Sequence, residues 1–131
     1  MTTFRFLALS AAACAAAALY AQPAPVAGPD FSEGSPRPPA VQLSERLAGN
    51  IFMATLADGA TWRMDYKSTA GYVFFDISNG ARDTAKWATE DGKVCYHFQR
   101  AFPSGCTEYR IFNETLYFKR SSGEVVALQK K

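Results

Sequence analysis

The stretch "WATEDGKVCYHFQRAFPSGC", residues 87–106, decides how the chain is read. It places the single histidine, His97, between two of the three cysteines, Cys95 and Cys106. Such a stretch is either a chemical site of thiols and imidazole or a hairpin closed by a disulfide. Asp91-Gly92 is a strong two-residue hairpin signal, because glycine takes the positive φ that the tightest turns need. Pairing about that turn sets Glu90 opposite Lys93, Thr89 opposite Val94, Trp87 opposite Tyr96 and Ala85 opposite Phe98. One face is then apolar (Ala85, Trp87, Val94, Tyr96, Phe98). The other carries Lys86, Glu90, Lys93, Cys95 and His97.

A second register follows from setting Cys95 opposite Cys106. Lys93 then faces Glu108, Val94 faces Thr107 and His97 faces Ser104, while Tyr109 and Ile111 join the apolar face. A register chosen only to join the cysteines thus returns an ion pair and a continuous core face, which supports a disulfide. Metal binding fits the residues less well, since zinc needs three or four ligands and the chain has one histidine. Cys95 and His97, two residues apart on a strand, stand about 7 Å from each other, too far for direct proton transfer. His97 with Ser104, and Glu108 nearby, is the remaining catalytic arrangement, a weak hydrolase. It lacks a sharp nucleophile turn and a glycine-rich oxyanion loop. No catalytic residue, metal or cofactor is expected, and the protein reads as non-enzymatic.

Outward from this stretch the text keeps one rhythm. Runs rich in aromatic and β-branched residues alternate with DG, SNG, PSG and SSG, a turn signal about every ten residues. Taking Asp58-Gly59 as another two-residue loop sets Ile51 opposite Tyr66, Met53 opposite Met64 and Thr55 opposite Trp62. That register leaves Phe52 and Leu56 on the polar face. Further strands are read at 71–77, 106–112, 115–120 and 124–128. Before them VQLSERLAG gives a short helix over 41–48 capped by Gly49. The fold class is all-β: an antiparallel meander of about eight short strands forming a small barrel or sandwich, preceded by that helix.

The N-terminus reads differently. Arg5, an apolar run from Phe6 to Leu19 and small residues ending at Ala21 have the parts of a secretory signal peptide over 1–21. The run falls short of the roughly 20 apolar residues of a membrane span. Cys14, after Ala11-Ala12-Ala13, offers a rival lipid-anchor reading, but the apolar run continues past it. Residues 22–40 hold six of the seven prolines and read as a disordered linker, leaving 41–131 as the β-domain. Periplasmic or secreted export is expected, an environment in which paired cysteines persist.

Formal net charge is +2, with basic and acidic residues interspersed, so the basic stripe of a nucleic-acid binder is missing. Acidic residues such as Asp58, Asp83, Glu90, Asp91, Glu114 and Glu124 are assigned to turns. Two binding features remain. Trp62, Tyr66, Trp87, Tyr96, Phe98 and Tyr109 are candidates to line a ligand cavity inside a barrel. The loop at 99–105, with Arg100, Phe102 and Pro103, is a candidate partner surface, as for an envelope accessory or inhibitor protein. The expected protein is a monomeric binding module for a small ligand or an envelope protein.

The run AKWATEDGKVCY, residues 85–96, resembles a pattern in small secreted proteobacterial domains of unknown function with a lipocalin-like small β-barrel. Trp87, Asp91-Gly92, Cys95, Tyr96 and Cys106 match it, while Ala85 stands where the pattern has glycine. The likeness extends loosely from LAGN at 47–50 to GEVVAL at 123–128. It implies an exported β-domain with a disulfide and transfers no catalytic residue.

Overall fold

The computed structural model describes residues 28–68 and 71–131. The expected signal peptide, Cys14 and linker residues 22–27 lie outside the described residues. Helix α1 spans Ala40–Leu47 and leads into β1 (Ile51–Thr55), β2 (Thr61–Tyr66), β3 (Tyr72–Ile77) and β4 (Arg82–Glu90). There follow β5 (Lys93–Phe98), β6 (Gly105–Phe112), β7 (Thr115–Lys119), β8 (Val125–Ala127) and β9 (Gln129–Lys130). Each strand from β1 to β7 pairs antiparallel with the one that follows it, and β9 pairs with β1. The all-β expectation holds.

The expected eighth strand is split in two. Val125–Ala127 bond to β7 and Gln129–Lys130 bond to β1, with Leu128 between them. Leu128 turns its side chain into the core and its N–H to the Leu116 carbonyl, 2.8 Å away. One short C-terminal segment therefore satisfies both open edges of the meander. The sheet becomes a nearly closed barrel, which removes exposed strand edges.

Two of the three expected registers are found. Glu90 faces Lys93 and Trp87 faces Tyr96 around the Asp91-Gly92 turn; Cys95 faces Cys106, and Lys93 faces Glu108. The first hairpin differs by one residue: Phe52 faces Met64 and Ala54 faces Trp62. Its connection is three residues, with Leu56 N–H bonded to the Ala60 carbonyl and Gly59 at φ +88°. This is a turn closed by a left-handed glycine rather than a two-residue loop. A one-residue slip exchanges the faces of a strand. Here it buries Phe52, Ala54 and Leu56 to 4% exposure or less. The polar-face placement of Phe52 and Leu56 is thereby corrected.

The two ends of the barrel are unlike. Helix α1 lies across the end where β2 finishes, with Leu43 and Leu47 fully buried. Before it, the described part of the proline-rich segment is docked rather than free. The Pro38 carbonyl accepts the Gly92 N–H at 2.8 Å, and Asp91 Oδ1 accepts the Ala40 N–H at 3.0 Å. Arg110, buried to 3% exposure, donates to the Asp30 carbonyl and the Ser35 hydroxyl and stacks on the Phe31 ring. Proline lacks an N–H but keeps its carbonyl, so this segment is rich in acceptors, and Gly92 and Arg110 supply the donors. Gly92 is needed there: its φ is +71°, and a Cβ would lie 2.9 Å from Arg37 Cβ and Cγ.

Candidate functional site

At the other end residues of the 99–104 and 120–124 turns border an opening. Strand alternation sends Trp62 and Met64 from β2, Phe75 from β3, Tyr96 and Phe98 from β5, and Phe118 from β7 toward one cavity of about 670 Å³. That is within the usual size for a small-molecule site. The walls are built from rings in mutual contact. Trp62 stacks on Phe118 at 5.9 Å, and Phe75 meets Tyr96 and Phe98 edge-on at 5.5 and 5.2 Å.

Of the six candidate cavity residues, Trp62, Tyr96, Phe98 and Tyr109 border this space. Tyr66 does not. It lies deeper, with no exposed surface, and its hydroxyl is 2.7 Å from that of Tyr96 and 3.3 Å from that of Tyr109. Tyr96 and Tyr109 complete the triangle at 2.6 Å. Three hydroxyls in a ring supply three donors and three acceptors, so the buried polar group satisfies itself. Burial pushes all three phenols above their ordinary value of 10.0, and Tyr66 and Tyr96 well above it. Trp87 lies behind Tyr66, perpendicular to it at 5.1 Å, and takes no part in the cavity wall. Among the described residues its buried Nε1 has no hydrogen-bond partner.

The 99–104 loop closes over part of the opening. Phe102 packs edge-on against Phe98 at 5.3 Å and Phe75 at 6.4 Å, and Pro103 borders the cavity beside it. Arg100 points elsewhere, toward a shallow depression also bordered by Arg63, Asp76 and Arg82. The loop is held by Asp83, which the sequence alone assigns to a turn. Asp83 is in β4, inward-facing and 4% exposed. Its carboxylate accepts the backbone N–H groups of Thr84, Arg100, Ala101 and Phe102 at 2.8–3.1 Å. Burial alone would raise its pKa, but these donors outweigh that and hold it below 3.8. The available signal was an acid registered opposite Phe75 on an otherwise apolar face.

Arg120 is the second residue that sequence reading passed over. Its guanidinium lies 5.5 Å over the Trp62 ring and donates through Nη1 to Glu124 at 2.8 Å. Glu124 is fixed in turn by the Ala57 N–H at 2.6 Å. The hydrogen bond from Arg120, with that from Ala57, lowers the Glu124 pKa below its ordinary 4.5.

The opening stretch supplies structure around this site. Cys95 and Cys106 form a disulfide that closes the base of the 99–104 loop. On the chain-entropy account such a loop stabilises the fold by about 2–3 kcal/mol. Among the described residues Glu90 is the one further metal-ligand type beside the bridge, and with the sulfurs joined no thiolate remains there. His97 is exposed opposite Lys86. The Ser104 hydroxyl accepts the Phe98 N–H at 3.0 Å, and no hydrogen bond joins it to His97 among the described residues.

No family model, curated protein or solved structure matches this chain. Among the described residues no helix is long and apolar enough to cross a membrane.

Proposed function

We propose that this chain is an exported, monomeric, non-enzymatic binding module that takes a small ligand in the open end of its barrel. The observation that carries the reading is the cavity of about 670 Å³ walled by aromatic rings. The disulfide fits an oxidising compartment, as does the apolar run at 6–19. A partner-binding role for Phe102 is the second reading. It is less favoured, because Phe102 packs inward against Phe98 and Phe75.

Native mass spectrometry on protein isolated from its own cells without denaturation tests the proposal. A bound species of a few hundred daltons, lost on replacing Phe98 or Phe118 by a bulkier tryptophan, is the expected result. An apo mass under all gentle conditions overturns it.

A further inference from the structure

The cavity wall carries a polar group whose hydrogen-bonding capacity is only partly used. A guanidinium has five N–H donors in a planar fork. Of those on Arg120, the hydrogen bonds of the described residues account for one, from Nη1 to Glu124. Glu124, by contrast, uses one oxygen on Arg120 and the other on Ala57. The acid of the pair is thus engaged at both oxygens, while the base keeps donors to offer. Trp62 fixes the guanidinium plane from one side, and Phe118 backs Trp62. Arg120 remains one-third exposed and borders the cavity.

Other polar groups also stand near the mouth. Ser104, Thr107 and Ser121 border the opening with hydroxyls, which donate as readily as they accept. Glu108 and Lys119, cross-strand neighbours in register, also border the opening and carry opposite charges. Deeper in, Asp83 is saturated by four backbone donors, and the tyrosine hydroxyls bond one another. The interior therefore accepts apolar surface, and Arg120, held by Trp62 and Glu124, brings unspent donors to its edge.

From this arrangement we propose that the ligand is an apolar monocarboxylate, its hydrocarbon or aryl body among the rings and its carboxylate on Arg120. The inference rests on the binding reading above and narrows it to one chemical class. Arginine suits the role because its fork engages both carboxylate oxygens, which a lysine ammonium cannot reproduce.

Matched probes test it. Isothermal titration calorimetry of the oxidised protein at neutral pH compares decanoate with decanol, and phenylbutyrate with phenylbutanol. The acid of each pair that binds is expected to be about ten-fold or more tighter than its alcohol, the range of a charge-assisted hydrogen bond. Arg120→Gln removes that preference while alcohol binding persists, and Arg120→Lys restores part of it. Acid and alcohol binding alike overturns the carboxylate assignment and leaves the cavity reading standing. Retention of the preference in Arg120→Gln also overturns it. Binding of neither acid nor alcohol overturns both readings. The wild-type comparison decides the matter even where a variant fails to fold.

Discussion

The Asp83 carboxylate and the Phe102 N–H, 19 residues apart in sequence, meet at 3.0 Å and fix the loop that overhangs the cavity. Asp83 serves as a latch built from one side chain and consecutive backbone donors. Its negative charge is stable in a nearly dry position because the donors replace water.

Replacing that charge by a neutral amide is predicted to loosen the loop before the barrel. Asp83→Asn keeps one carbonyl oxygen and turns an NH2 group toward donors that need acceptors. The expected loss is about 2–4 kcal/mol, from hydrogen bonds to a buried charge. Urea denaturation and amide exchange at residues 99–104 measure it. The gap has a defined pH dependence. Because the folded pKa of Asp83 is depressed, its stabilisation is fully present above the ordinary 3.8 and fades as pH falls through the lower folded value. Wild type and variant should therefore converge in acid. A constant gap would deny the latch its charge.

The register of the first hairpin can be read out by mutation. Phe52 is 4% exposed and meets the Tyr66 ring at 6.1 Å, whereas neighbouring Met53 faces Arg63 across the outer side of the sheet. Phe52→Ala is predicted to cost about 3–5 kcal/mol through cavity formation. Met53→Ala should cost about 1 kcal/mol or less, as surface changes do. Denaturation midpoints of the two variants settle the order. The opposite order would restore the register that a two-residue Asp58-Gly59 loop implies.

This hairpin also shows where sequence reading stops. At Asp91-Gly92 the turn signal and the alternation of Trp87, Val94, Tyr96 and Phe98 agree, and the cysteines add an independent constraint, so the register is legible. At Asp58-Gly59 the same dipeptide sits in a longer turn. Its length is set by Leu56 reaching the core and by Glu124 binding Ala57 from a distant turn. The aromatic wall was legible because alternation reports faces. Asp83 and Arg120 were not, because their roles depend on backbone N–H groups and rings brought near by barrel closure. The docked proline-rich segment escaped for the same reason: its composition offers little apolar surface, and its anchors at Gly92 and Arg110 lie more than fifty residues on.

The tyrosine triangle makes the last prediction. Tyr96 belongs to its two shorter sides, at 2.7 and 2.6 Å. Tyr96→Phe leaves Tyr66 and Tyr109 to share the longer 3.3 Å contact, and the expected cost is about 1–2 kcal/mol. Tyr109→Phe should cost less, since it keeps the 2.7 Å pair and Tyr66 can turn its proton to Met64 Sδ at 3.9 Å. Alkali attacks the same group. Burial raises the folded pKa of these phenols, so their contribution is intact below the ordinary 10.0 and is lost as pH climbs toward the folded values. In a titration followed by tyrosinate absorbance and by circular dichroism, these three phenols should ionise only together with unfolding. Their ionisation in a protein that keeps its native spectrum would mean that water reaches the triangle, and the floor of the cavity would then be wet rather than sealed.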